Sequence, residues 1–148
     1  MDRLLLLVVV AAAAGTLAHL VQRRRPDAPV RTGWSVPEQL DRRDFDRPDA
    51  PWLVAVFTSA KCETCSSVVE VAGPLESKAV AFHEVEAGAR KDLHDRYAIE
   101  AVPMVLLVDA VGVVRSHHLG PVSATHLWGS LAELRQPGCT PDGCSAGD

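Results

Sequence analysis

The stretch 52–65, Trp-Leu-Val-Ala-Val-Phe-Thr-Ser-Ala-Lys-Cys-Glu-Thr-Cys, runs an apolar segment into two cysteines separated by two residues, and it constrains the chain more than any other feature. Residues 53–57 are short, apolar and rich in β-branched side chains, the pattern of a strand covered on both faces. Thr58 and Ser59 offer turn and helix-cap chemistry, which predicts Cys62 in the first turn of the following helix. There the unpaired backbone N–H groups and the helix dipole favour an anion, and for a cysteine that anion is the reactive thiolate. A dithiol delivered by a buried strand to a helix tip is a candidate redox centre.

The rest of the chain supplies elements to build around it. After Cys65, Val68, Val69, Val71 and Ala72 continue an amphipathic helix that Gly73-Pro74 ends or kinks. Residues 79–85 are a plausible strand, 89–97 a charged surface helix, and 104–108 a further apolar strand. Asp109-Ala110-Val111-Gly112 turns the chain into a returning strand over 113–117, an antiparallel hairpin. Gly120-Pro121 breaks it, and Ser123 caps a last helix with Leu127, Trp128, Leu131 and Leu134 on its apolar face. Ahead of the central strand, Ser35-Val-Pro-Glu38 has the form of a capping box. Alternatively, 36–40 is a short edge strand with Asp41 capping a helical turn through Phe45. The order strand, helix, strand, helix, strand, strand, helix is α/β, with early strands parallel through right-handed crossovers and the closing hairpin antiparallel.

Outside this domain the chain changes character. Residues 4–21 are an uncharged apolar run, at the short end for a spanning helix. Asp2 offsets Arg3, and the run continues into Arg23-Arg24-Arg25, which favours an uncleaved anchor over a signal peptide. The expected organisation is a transmembrane anchor with its basic flank over 1–25, a linker over 26–35, a domain over 36–136 and a Cys-containing tail over 137–148. Arg23, Arg24, Arg25 and Arg31 follow the span while Arg3 alone precedes it, so the positive-inside rule favours a cytoplasmic domain. Disulfide chemistry outside the cytoplasm keeps the external face open.

Composition narrows the function. A net charge of −4, with the one dense basic cluster beside the apolar run, gives no basic face for nucleic acid. Four cysteines in 148 residues are too few for a disulfide-stapled scaffold. A tetrahedral zinc site needs four ligands, and no second Cys-x-x-Cys or His pair stands at ribbon or finger spacing, so no metal is expected at Cys62 and Cys65.

Three features coincide: a strand leading into Cys62-x-x-Cys65, Val102-Pro103-Met104 opening a later strand, and Gly120 before the last helix. On these the chain resembles the thioredoxin family over roughly residues 36–135. The resemblance implies a central mixed sheet flanked by helices, with a cis peptide bond at Pro103 beside the dithiol and Val102 offering its backbone to an extended substrate segment. It implies thiol–disulfide exchange with Cys62 as nucleophile and Cys65 as resolving thiol, without a bound cofactor. The partners would be protein thiol or disulfide clients and a redox partner protein, and the chain is expected to be a monomer.

The departures from the family are local. Lys61 favours a thiolate at Cys62, Glu63 opposes it, and Thr64 completes an unusual dipeptide where thioredoxins proper have Gly-Pro. Val56 occupies the position at which thioredoxins proper carry a buried aspartate thought to relay the proton of the resolving thiol. Glu84 and Glu86, on one side of their strand, are candidates for that relay. Cys139 and Cys144 bracket a turn sequence and are candidate accessory thiols, closing a small disulfide or shuttling electrons. His117 and His118 read as a strand-end pair and His126 as a surface helix residue. A rival reading is a redox-inactive, membrane-tethered binding or assembly module that uses the Pro103 groove.

Overall fold

The computed structural model describes residues 33–138. Their elements are β1 (Trp52–Thr58), α1 (Cys65–Ala72), β2 (Val80–Glu86), α2 (Lys91–Arg96), β3 (Met104–Asp109), β4 (Val114–Leu119) and α3 (Ala124–Arg135), in the order expected from sequence. They form one mixed sheet in the order β2-β1-β3-β4. β1 pairs parallel with β2 and antiparallel with β3, and β3 pairs antiparallel with β4.

β1 is central because its side chains are apolar in both directions. Leu53 through Phe57 have no solvent-accessible surface. Leu53, Ala55 and Phe57 face a core completed by Leu40, Phe45, Leu93, Met104 and Leu106. Val54 and Val56 face the other core, with Val68 and Ala72 of α1 and Leu127 and Leu131 of α3. A strand buried this way anchors both layers, each large apolar side chain contributing roughly 1.5–3 kcal/mol on burial.

Ahead of β1, the edge-strand reading holds in reduced form. A single bridge joins Gln39 to Val113, flanked by Leu40 N–H donating to Gly112 (2.8 Å) and Val114 N–H donating to Glu38 (2.9 Å). Pro37 has no N–H with which to extend the ladder. Asp41 then caps a 3₁₀ turn, Arg42–Asp44, by accepting from Arg43 N–H, and the turn closes at the buried Phe45. Arg42 is itself buried, its guanidinium donating to the carbonyls of Asp109 (2.7 Å) and Ala50 (2.9 Å).

Three expectations are corrected. The helix after β2 is shorter than 89–97, because Ala89 N–H is held by the Glu86 side chain and Arg90 N–H by its carbonyl. Nor is α2 wholly a surface helix: Leu93 and His94 are buried, with His94 Nε2 2.9 Å from the Val85 carbonyl and its ring edge-on to Phe57. On α3, Ser123 caps as expected and Leu127 and Leu131 enter the core, but Trp128 remains 44% exposed. Its indole N–H donates to the Val71 carbonyl, so it laps over α1. The apolar run 4–21 lies outside the described residues. Among the described residues no helix is long and apolar enough to cross a membrane.

Candidate active site

The loop from β1 to α1 is two successive tight turns. Cys62 N–H donates to the Ser59 carbonyl (2.9 Å), and Cys65 N–H to the Cys62 carbonyl (3.4 Å). The helix proper therefore starts at Cys65, with Thr64 at its N-cap and no side-chain capping bond. The expected placement of Cys62 in the first helical turn is corrected accordingly: it stands just ahead of the helix, because the two turns use up the residues that Thr58 and Ser59 were expected to cap. Thr58 stays in β1 and Ser59 serves as the turn residue.

Cys62 and Cys65 are joined as a disulfide with Cα atoms 5.5 Å apart. The two cysteines are unequally exposed. Cys65 is 4% exposed, packed at the start of α1, whereas Cys62 is half-buried at the rim of a cleft. Lys61, Glu63 and Thr64 are exposed around it. The Thr64 hydroxyl lies 3.8 Å from Cys62 Sγ, within hydrogen-bond reach of sulfur.

The cleft has a volume of about 410 Å³ and is walled by Thr58, Cys62, Glu63, Cys65, Glu84 and Glu86 among others. Both glutamates thus reach the dithiol's side of the sheet, but their surroundings differ. Glu86 Oε1 accepts from Ala60 N–H (3.0 Å), and its Oε2 accepts from Gly88 (2.7 Å) and Ala89 (2.8 Å). Those donors, the Ala60 N–H foremost, hold its carboxyl below the ordinary glutamate range. Glu84 Oε1 accepts one bond, from Thr58 Oγ1 at 2.8 Å. Val56, two residues before Thr58 on the same face, is wholly buried among apolar neighbours and lies in register with Glu84. Thr58 is the residue that sequence reasoning misjudged. Its signal was a hydroxyl at a buried strand's last position, where a polar partner is required.

Pro103 follows a cis Val102–Pro103 peptide bond, in agreement with the resemblance. Phe57 pairs with Met104 across β1 and β3, so Pro103 falls at the sheet end from which the cysteine loop leaves. Gly120, with φ +81, brings its N–H to the Pro103 carbonyl (2.9 Å). That left-handed conformation suits glycine, and it ties the end of β4 to the proline. Val102 is half-buried. Cys139 and Cys144 lie outside the described residues. His117 and His126 are exposed, whereas His118 is half-buried with its Nε2 shielded and unpartnered among the described residues, and burial lowers its pKa.

A second hollow, of about 490 Å³, lies at the opposite end of the sheet near Val111 and contains no cysteine. Its carboxylate Asp41 pairs with Arg43 (2.7 Å) and Arg96 (3.6 Å), Arg96 also pairs with the adjacent Asp44 (3.2 Å), and Arg42 donates to backbone carbonyls. Among the described residues no cluster of three His, Cys, Asp or Glu side chains stands ready for a metal ion.

No family model matches the chain, and no curated protein matches it in sequence. Solved structures do. A point-mutant thioredoxin from Halobacterium salinarum NRC-1 aligns at 20% identity over 69% of this chain and 95% of its own, with a TM-score of 0.53. A structure described as that of a malarial protein aligns at 16% identity over 58% and 98% of the two chains, with a TM-score of 0.51. At such identities the likeness is one of architecture: the described domain has the thioredoxin fold.

Proposed function

We propose that this thioredoxin-fold domain is a thiol–disulfide oxidoreductase acting on protein disulfides through Cys62 and Cys65. The observation that carries the reading is the asymmetry of the bonded pair, one cysteine half-buried at a cleft rim and the other packed at a helix start. Exchange needs that asymmetry, because the first thiol must meet a client and the second must meet only the first.

In the reducing direction, the Cys62 thiolate attacks a client disulfide, forming a mixed disulfide and releasing one client thiolate. Cys65 then attacks Cys62 Sγ. The mixed bond breaks, the second client sulfur leaves as a thiolate, and two electrons have passed to the client as the Cys62–Cys65 bond forms. Run backward, the same steps oxidise a client dithiol. No bound cofactor is required, so a partner thiol protein or reductase must reset the pair. The client segment is read as extended, pairing with the Val102 backbone beside Pro103. The thiolate of Cys62 is favoured by the Lys61 cation and the Thr64 hydroxyl and opposed by Glu63. We assign the apolar run 4–21 as a single-pass anchor with the domain on the cytoplasmic side. A reporter fused after Asp148 and active only outside the cytoplasm would reverse that side.

The direct test is dithiothreitol-driven reduction of a protein disulfide by the purified full chain. Activity is expected in the wild type and absent in Cys62→Ser, and Cys65→Ser should accumulate mixed disulfides that identify clients. Undiminished turnover in Cys62→Ser would overturn the assignment.

A further inference from the structure

The resolving step raises a question of proton chemistry. Cys65 must lose a proton before it can attack, and at 4% exposure it is nearly closed to solvent. A general base within reach, directly or through one water, accelerates such a step. Val56 has no acidic group to offer and no access to solvent. The proton must therefore leave by way of the cleft that Cys65 helps to line.

Three carboxylates wall that cleft: Glu63, Glu84 and Glu86. Glu86 is committed, both of its oxygens taken by backbone N–H donors. Accepting a proton there would break bonds that hold the cysteine loop to the end of β2. Glu63 lies between the two cysteines and is exposed, as Glu84 is, but no hydrogen bond among the described residues fixes its carboxylate. Glu84 differs from both. One oxygen is steered by the Thr58 hydroxyl, and the other receives no hydrogen bond from the described residues. Thr58 is itself 2% exposed, so its side chain is fixed and the carboxylate it holds is aimed. The one cation in the loop, Lys61, is exposed, and among the described residues no ion pair joins it to Glu84.

We propose that Glu84 is the general base for Cys65, with Thr58 as its positioning residue, taking over the task that an acid at position 56 would otherwise perform; the inference rests on the oxidoreductase reading above. In the mixed disulfide, the Cys65 S–H proton passes through a water in the cleft to the free oxygen of Glu84, which becomes the neutral acid. The Cys65 thiolate bonds to Cys62 Sγ, and the Cys62–client bond breaks with its electron pair leaving on the client sulfur. Glu84 then returns its proton to that thiolate or to solvent. In the reverse direction Glu84 gives a proton to Cys65 as it leaves Cys62. The cleft has ample room for the water, and Glu84 and Thr58 supply polar partners for it.

The test separates the two steps in one trace. The full chain carrying Cys139→Ser and Cys144→Ser, in detergent, retains only Cys62 and Cys65 as thiols. Reduced and mixed with excess dithiobis(nitrobenzoate), it releases one coloured thiolate when Cys62 attacks and a second when Cys65 resolves. In Glu84→Gln the first phase should be unchanged. The second should slow at least about tenfold at neutral pH, and the gap should close at alkaline pH, where solvent ionises Cys65 unaided. Thr58→Val should slow the second phase less, with the same pH signature. A second phase in Glu84→Gln equal to wild type at every pH, or slowed by one constant factor at all pH values, would overturn the assignment of Glu84. A wild-type trace with the first phase alone would instead overturn the oxidoreductase reading on which it rests.

Discussion

Replacing Val56 with aspartate would put an acid where thioredoxins proper carry one, and the surroundings of Val56 predict that this chain rejects it. Val56 has no accessible surface and sits in a cluster of Val54, Val68, Val105, Leu107 and Leu127. Losing a buried valine's apolar contacts costs about 2 kcal/mol. The larger effect is ionisation. A fully buried carboxyl without donors has its pKa raised by about three units, and at 1.36 kcal/mol per unit that costs about 4 kcal/mol at pH 7. Because the folded pKa would lie above the unfolded value, the penalty is absent below pH 4 and grows as pH rises, reaching its full size near neutrality. Urea unfolding of oxidised residues 33–138 should therefore show Val56→Asp about 6 kcal/mol less stable than wild type at pH 7 and about 2 kcal/mol less stable at pH 4. Adding Glu84→Gln should recover part of the pH 7 loss, since Glu84 is the register neighbour and repels a carboxylate beside it. A loss below about 1 kcal/mol at pH 7, or one equal at both pH values, would refute the picture of a closed apolar site under the dithiol.

The remaining predictions concern the frame that holds the site. Gly112 has φ +90, and a Cβ there would collide with the Leu40 carbonyl oxygen, so Gly112→Ala should cost about 2 kcal/mol or more in urea unfolding. Tyr97, the only tyrosine in the chain, has its pKa pushed up to about 12 by burial and by donating to Asp44 at 2.5 Å. Its phenolate absorbance should thus titrate well above the ordinary range. The folded state holds that proton longer than the unfolded one, so stability should fall between pH 10 and 12, and a normal titration would refute the buried hydrogen bond. Ser123→Ala removes the acceptor for His126 N–H at the start of α3, and thermal unfolding should register a loss of about 1 kcal/mol.

What was legible in the sequence was what local pattern dictates. The apolar run at β1, the Gly-Pro breaks and the Ser123 cap each depend on a few adjacent residues, and each stands where it was read. The start of α1 was misread because two consecutive turns, rather than a side-chain cap, decide it, and residue preference does not distinguish them. His94 was hidden because a polar residue in a charged segment gives no hint that its ring will lie against Phe57. Trp128 fits the period of the α3 stripe, yet its indole N–H needs an acceptor, and the Val71 carbonyl draws it to the edge of the core. For both His94 and Trp128 the deciding partner is remote in sequence.

The division between Glu84 and Glu86 follows from where the strands stop. Thr58 and Glu86 are the last paired residues of β1 and β2. Beyond them the N–H groups of Ala60, Gly88 and Ala89 leave the ladder with no strand to receive them, and unpaired donors at a strand end call for an acceptor. The carboxylate at the final position of β2 is the nearest, and it takes all three. Two residues earlier, Glu84 lies within the stretch of β2 that pairs with β1, in register with Val56. A side chain of the adjacent strand engages it, Thr58, with a single bond. Two glutamates that alternation places on one face thus come to different ends. The outer one binds the cysteine loop to the sheet, and the inner one keeps an oxygen for the cleft that the dithiol shares.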